Sequence, residues 1–381
     1  MVLKELLGLL VEWRREFDAY LVGGVPRDLL LFGEDVRVQD CDVVVLGGRG
    51  EVRRFVEYLK AQGFRLRKYS LFGTAEMERG GMNLDVAMAR RERYAFPGAL
   101  PEVEPTDSLY EDSLRRDFTA NALYHDGERI LDFHGGVEDI GRRILRPLAS
   151  FADDPTRALR GVRYRHKLNL RYGEDFFAAL PDAVRYISNV SLQRILNELR
   201  STSILRSGVL MGFLKDALRF SLLRSVVEEG AVLPRRVYLG FPSPHRWVIP
   251  LVPFLREGLP LTRGERDATL FGEWMPIGSL TEAHLRMHSW GDLRILAYMT
   301  WRADEEQRRL LRLYLRLRRR VRVKLYPHGE RYESIRRSME RLGLRGDVPE
   351  ACRGEPESPR MRALWKLRCE GALMDMALKT R

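Results

Sequence analysis

The sequence predicts an α+β chain: a sheet-and-helix part up to about Pro147, then a long helical remainder. Short apolar or β-branched runs alternate with helical stretches between Ala19 and Pro147. After Phe151, apolar and basic residues recur at helical spacing to about Leu223, and again beyond residue 264 apart from Arg353 to Pro359. The 381 residues are enough for two to four compact units.

Leu3, Leu6, Leu7, Leu10 and Val11 form the apolar stripe of an amphipathic lead-in helix within residues 1–18. Strands are expected at Ala19–Val22, Cys41–Leu46, Leu84–Ala87 and Ala120–Tyr124, with a helix over Phe55–Gln62. The stretch from Arg90 to Asp112 holds Pro97, Gly98, Pro101 and Pro105. It is too long for an ordinary connection and reads as a functional lid. Asp153-Asp154-Pro155 opens a helix, and residues 230–264, rich in Pro and Gly, read as an irregular join. There is no internal repeat and no low-complexity tract.

Hydrophobic residues at 45% support real cores, and 31% charged residues argue against a membrane protein. No apolar stretch approaches the roughly 20 residues of a spanning helix, since Pro250 and Pro253 interrupt Trp247–Leu255. Glu5 and Glu12 break any signal-peptide profile. Cys41, Cys352 and Cys369 lack metal-ligand spacing, which predicts a reducing compartment, the cytoplasm, and no disulfide. The formal charge of +12 favours a polyanionic partner and salt-dependent association. Heat adaptation is the other reading of so many charges.

Asp40 and Asp42 stand at i and i+2 of an expected strand, hence on one face. Two acids so placed repel unless a cation lies between them, and Mg²⁺ needs only one or two carboxylates plus substrate phosphates. Upstream, Gly23-Gly24 lets backbone amides approach a polyphosphate, and Arg27 adds a matching charge. Together these read as a metal-dependent nucleotidyl-transfer site. Asp85, on a later apolar strand, is either a third carboxylate or a strand-end acid paired with Arg90 or Arg91. Arg115-Arg116-Asp117 with Asn121 suits phosphate and ribose binding, or is a surface salt-bridge cluster. Asp154, Arg157 and Arg160 share one helix side. They read either the Watson–Crick edge of a base or, for Asp154 before Pro155, a plain helix cap.

Taken in order, LVGGVPRD, DCDVVV, FGTAEM, LDVAMARRERYAFPGALPEVEP, RRDFTANAL, LDFHGGVEDI and DDPTRALRGVRYRHKL resemble the class II tRNA nucleotidyltransferase and bacterial poly(A) polymerase family. The likeness covers about Ala19 to Leu168, with a weaker continuation over Ser191–Leu199. It implies a nucleotidyltransferase-type β-sheet head over residues 1–147, a nucleotide-selecting neck over 148–205, a helical body over 206–300 and a helical tail over 301–381. By the same resemblance Asp40 and Asp42 ligate Mg²⁺, and Gly23, Gly24 and Arg27 lie near the triphosphate. Arg115, Arg116, Asp117 and Asn121 contact ribose and phosphates. Asp154 and Arg157 select the base, with Arg160 and Arg163 supporting the pocket. The Arg90–Pro105 segment resembles the flexible loop associated with the switch to adding A.

Pro26, Phe32, Asp153 and Gln193 depart from the family's usual Val, Gly, Glu and Glu, and leave the nucleotide preference open. The tail's Arg316, Arg318, Arg319, Arg320, Arg322 and Lys324 either bind tRNA or line a solvated helix with Leu310, Leu313 and Leu317 inward. The function expected is CCA addition to the tRNA 3′ end from CTP and ATP. The alternatives are an A-adding enzyme, a poly(A) polymerase and, remotely, a small-molecule nucleotidyltransferase. The retained loop argues against a pure CC-adding enzyme, and the short, non-basic lead before Leu21 favours tRNA over poly(A) work. A catalytically silent RNA-binding protein would lose the acids, which are present. Oligomeric state is not legible.

Overall fold

A computed structural model describes residues 1–70, 73–233, 245, 247–269, 279–290, 304–321, 323, 328–353 and 359–379. The chain divides into two compact units, one formed by residues 1–198 with 208–225 and the other by 199–207 with 226–381.

The first unit opens with α1 (Leu3–Trp13), where Leu3, Leu6, Leu10 and Trp13 fall on one buried stripe. The Glu5 carboxylate accepts the Val2 amide at 2.9 Å and so satisfies one orphan donor of the helix start. There follow β1 (Ala19–Val22), α2 (Gly24–Phe32), β2 (Asp40–Val45) and α3 (Gly48–Ala61). Then come β3 (Arg65–Ser70), β4 (Thr74–Arg79), β5 (Met82–Met88), β6 (Arg90–Arg93), β7 (Glu102–Pro105) and α4 (Leu109–Leu114). The unit continues with β8 (Leu123–His125), β9 (Ile130–Asp132), α5 (Gly136–Gly141), β10 (Ile144–Leu145), α6 (Thr156–Leu168) and β11 (Arg171–Tyr172). Helices α7 (Glu174–Tyr186), α8 (Leu192–Ser201) and α9 (Ser207–Arg219) follow, α8 running across the division between the units.

The main sheet runs in the order β3-β4-β5-β2-β1-β8-β9, antiparallel except for the parallel β2–β5 pair. Strand pleating sorts its two faces. Cys41, Val43, Val45, Leu84, Val86, Ala75 and Met77 point into one core with Trp13, Val52, Phe55 and Leu59 of α1 and α3. The alternate residues, among them Asp40, Asp42, Asp85 and Glu76, emerge on the opposite face. One apolar face per strand therefore delivers the acids to the other.

Three expectations are corrected. The Arg90–Asp112 stretch is not irregular throughout: β6 and β7 pair as an antiparallel ribbon, and only its tip and the residues after Pro105 up to α4 are unpaired. Its strands are charged rather than β-branched, with Arg93 set opposite Glu102 and diagonal to Glu104, 3.8 Å away. Ala120–Tyr124 is not one strand but a 3₁₀ turn over Thr119–Asn121 followed by the short β8. The Thr119 hydroxyl donates to Asp139 at 2.6 Å, and α5 approaches so closely that a Cβ on Gly136 would lie 2.3 Å from the Thr119 carbonyl. The helix expected over Phe55–Gln62 begins earlier, at Gly48.

The second unit is helical over Arg263–Thr269, Leu280–Trp290, Glu305–Leu317, His328–Leu342 and Pro359–Lys379. The first turn of the Leu280–Trp290 helix meets the C-terminal half of the Pro359–Lys379 helix closely: a Cβ on Gly371 would lie 2.5 Å from Thr281 Cα, and Asp375 accepts the Leu280 and Thr281 amides. His284 bridges Tyr314 at 3.1 Å and Glu370 at 3.0 Å within the same core. The prediction of unpaired thiols fails here, because Cys352 and Cys369 form a disulfide. Their spacing of 17 residues carries no local signal; packing of the Glu350–Cys352 turn on the Pro359–Lys379 helix brings them together. Cys41 is free and buried on β2. Among the described residues no helix is long and apolar enough to cross a membrane.

Candidate active site

The register of β2 against β5 sets Asp40 beside Asn83 and Asp42 beside Asp85. Asp40 Oδ1 accepts a hydrogen bond from Asn83 Nδ2 at 2.8 Å, whereas Asp42 accepts none from any described residue. Burial raises the Asp42 pKa, Arg116 opposes the rise, and the Asp40 charge adds to it. Asp85 is raised by burial, then by Asp42, Glu76 and Asp40. A cation placed beside Asp42 and Asp85 would offset the burial and mutual repulsion that raise them. Two acids on one face, one of them without a donor, fit a divalent ion completed by substrate phosphates. Among the described residues no three His, Cys, Asp or Glu side chains gather closely enough to hold an ion without such help.

The turn before α2 lies against this pair. Gly23 has φ +73°, and a Cβ there would sit 3.6 Å from Asp42 Oδ2 and 3.9 Å from Arg116 Nη1. Any side chain would be strained there and would stand in contact with the carboxylate. The α2 N-terminus places partial positive charge at the cavity, where Gly24 and Val25 form part of the wall. Pro26, in its first turn, lacks only an N–H that no intrahelical bond requires.

Arginines are fixed by a chain of acids. Arg27, 4% exposed, donates to Asp28 at 2.8 Å and to Asn121 Oδ1 at 2.6 Å. Asn121 in turn donates to Asp117 at 3.0 Å, and Asp117 accepts Arg160 Nε at 2.8 Å. Asp112, fully buried on α4, accepts Arg115 Nη2 and Arg116 Nη2, each at 2.9 Å, and the Tyr124 hydroxyl at 2.7 Å. Burial alone would lift the Asp112 carboxyl, but Arg116 and Arg115 hold it at about 2. Arg115 and Arg116 are thus inward-facing and restrained, not a surface cluster.

Asp154 does two things at once. Its Oδ1 accepts the Thr156 amide at 3.0 Å, which is a helix cap, and also Arg194 Nη2 at 2.8 Å. Its Oδ2 meets Arg160 only through two long contacts of 3.4 Å. Arg157 donates to the Ser150 carbonyl at 2.6 Å, the Arg115 carbonyl at 3.0 Å and the Tyr94 hydroxyl at 3.2 Å; its Nε has no partner although buried. Arg163 pairs with Glu198 at 3.2 Å and lies over the Tyr164 ring.

A cavity of about 750 Å³ gathers Gly23, Gly24, Arg27, Asp40, Asp42, Arg115, Arg116, Asp117, Asn121, Asp154, Arg157, Arg160 and Arg163 along one wall system. Asp85 does not line it; it lines an adjoining space of about 360 Å³ that shares Asp42, Arg115 and Arg116.

Residues 19–146 match the poly A polymerase head domain. An A-adding tRNA nucleotidyltransferase of Aquifex aeolicus (strain VF5) is 36% identical over 219 residues, 55% of this chain and 26% of its own length. A multifunctional CCA protein of Xylella fastidiosa (strain 9a5c) is 32% identical over 228 residues, 57% of this chain and 50% of its own. The chain thus spans about a quarter to a half of the length of the curated relatives it matches. A solved tRNA nucleotidyltransferase complexed with a primer tRNA and an incoming ATP analog aligns with TM-score 0.61 and 24% identity, covering 83% of this chain and 99% of that one. At that identity the likeness is one of fold.

Several cavity residues were given no role by motif reading: Glu92 and Tyr94 on and after β6, Tyr164 and Lys167 on α6, and Arg194 on α8. Asp112, which holds two of the arginines, was likewise passed over. Each of the five cavity residues had a signal: Glu92, Tyr94, Tyr164 and Lys167 lie within stretches that carry the family resemblance, and Arg194 within its weak continuation over Ser191–Leu199. Outside the head, Arg316, Arg319 and Arg320 are exposed and Arg318 is half-buried. Arg322 and Lys324 lie outside the described residues. The inward stripe of the Glu305–Leu317 helix is Leu311, Tyr314 and Leu317, with Leu310 and Leu313 only half-buried. The expected stripe is therefore shifted in register.

Proposed function

We propose that the chain adds nucleotides, without a nucleic-acid template, to the 3′ end of tRNA, building CCA from CTP and ATP. The observation that carries this reading is the convergence of both β2 carboxylates, the Gly23–Gly24 turn and the α6 arginines on one cavity. The terminal 3′-hydroxyl oxygen bonds to the α-phosphorus, the bond to the β-phosphate bridging oxygen breaks, pyrophosphate leaves and the hydroxyl proton passes to solvent.

Asp40 and Asp42 are the residues that would hold the divalent ion, Mg²⁺ in our reading. What such an ion supplies when bound is a more acidic hydroxyl and neutralised charge on the leaving oxygens. The chain's own residues do the rest. Gly23, Gly24 and Arg27 lie along the triphosphate, and Arg115, Arg116, Asp117 and Asn121 contact the ribose and phosphates. Asp154 Oδ2, with its long and exchangeable contacts, accepts from an exocyclic amino group while Arg157 and Arg160 donate to ring nitrogen or carbonyl. Asp85 acts chiefly through its charge on Asp42. The exposed Arg316, Arg319 and Arg320 add tRNA contacts, and head, neck, body and tail follow the boundaries given above. Such a substrate goes with a cytoplasmic site of action.

Addition of A alone to CC-ended tRNA is the second reading, favoured by the name of the Aquifex aeolicus relative. The deciding experiment supplies CTP and ATP, separately and together, with Mg²⁺ to tRNAs ending at the discriminator base, after C and after CC. CCA on the first substrate supports the first reading, a single A only on the third supports the second, and no incorporation on any of them refutes both.

A further inference from the structure

The two carboxylates on β2 are held differently, and the difference traces to Asn83. Asn83 stands opposite Asp40 in the parallel register, so both side chains leave the same face of the sheet. Its Nδ2 donates to Asp40 Oδ1 at 2.8 Å, and its Oδ1 accepts Arg67 Nη1 at 3.2 Å from β3. A guanidinium only donates and a carboxylate only accepts, so this pair of neighbours allows a single amide orientation. The Asn83 backbone N–H also donates to the Gln39 carbonyl at 2.7 Å, tying the residue to the step before Asp40. Asp42 stands beside Asp85 instead and accepts no hydrogen bond from any described residue.

We propose that Asn83, oriented by Arg67, is a positioning residue that fixes the plane of the Asp40 carboxylate for divalent-cation binding. The proposal rests on the metal reading of Asp40 and Asp42. Amides and carboxylates beyond the ligands set ligand direction, and their loss typically weakens metal binding by roughly 10–100-fold. Asn83 is the chain's means of orienting one ligand while leaving the other to be oriented by the ion.

The test is Mn²⁺ binding to the full chain, without nucleotide or RNA, read from the free-Mn²⁺ signal by electron paramagnetic resonance, alongside thermal melting. Asn83→Leu is expected to weaken Mn²⁺ binding about tenfold with the melting temperature unchanged. Arg67→Met should shift it in the same direction by a smaller factor. Wild-type affinity in Asn83→Leu, with loss in Asp40→Asn, overturns the role of Asn83 and leaves the metal reading standing. Equal Mn²⁺ binding by wild type and Asp40→Asn overturns both. If Asn83→Leu melts early, Arg67→Met decides, and unchanged affinity there overturns the proposal.

Discussion

Arg194 Nη2 donates to Asp154 Oδ1 at 2.8 Å while its Nη1 donates to the Gly98 carbonyl at 3.0 Å. One guanidinium therefore ties the Asp154 carboxylate, on the cavity wall, to the tip of the β6–β7 ribbon. Asn189 reinforces the tip through a 2.9 Å bond to the Pro97 carbonyl, and the Gly98 amide donates to the Ala152 carbonyl at 3.1 Å. The expected lid is a ribbon whose end is moored to the region that positions Asp154.

Arg194→Ala should loosen both ends of this tie. The ratio of CTP to ATP incorporation is expected to change about tenfold, with a stability loss of about 1–3 kcal/mol for the charge-assisted bonds removed. Competition between the two labelled nucleotides, with a urea melt of the same variant, checks it. An unchanged ratio would make Arg194 purely a brace.

Asp112 predicts a pH dependence. Its carboxyl is depressed to about 2 by Arg116 and Arg115, against an ordinary value of 3.8. A depressed carboxyl contributes stability that is complete above the ordinary value and lost as pH falls through about 4 toward 2. The size is about 2 kcal/mol, from roughly 1.4 kcal/mol per unit. Urea midpoints measured between those limits should fall in wild type and stay flatter in Asp112→Asn. The variant should also be less stable at neutral pH, since it leaves two buried arginines short of a counter-charge.

Gly23→Ala places a Cβ where φ is +73° and 3.6 Å from Asp42 Oδ2. Strain of about 1 kcal/mol is expected. The larger effect should fall on kcat, because the added methyl borders the carboxylate and the path of the triphosphate. Steady-state incorporation kinetics separate this from a simple loss of stability.

The Cys352–Cys369 disulfide closes a short loop in the second unit. Chain-entropy reasoning assigns it about 3 kcal/mol. Reduction, or Cys352→Ser, should lower the melting of that unit and leave Mn²⁺ binding by the head unchanged. Calorimetry with and without dithiothreitol reads this directly.

Much of the site was legible because its residues lie in short, ordered segments. Gly23-Gly24, Asp40 with Asp42, and Asp154 with Arg157 and Arg160 each carry a local reason for their spacing, and all of them line one cavity. Asp112 was not legible. An acid in a short helix gives no sign that it will be fully buried beneath two arginines, and that follows only from how α4 packs on β6 and β8. Tyr94 lies in a stretch that carries the resemblance, but its bond to Arg157 joins residues 63 apart, which no local pattern shows.

Local patterning alone determined the sheet-bearing head, the helical remainder, the shared face of Asp40 and Asp42, and the acid and arginines that begin α6. Those follow from strand pleating, helix periodicity and capping, which act over a few residues. Tertiary structure decided the rest: that Asp85 stands beside Asp42 yet outside the main cavity, that Asn83 orients Asp40, that Arg194 moors the ribbon to Asp154, and that Cys352 meets Cys369. Each is a contact between segments whose separation in the chain holds no periodic signal, so only packing selects the partner.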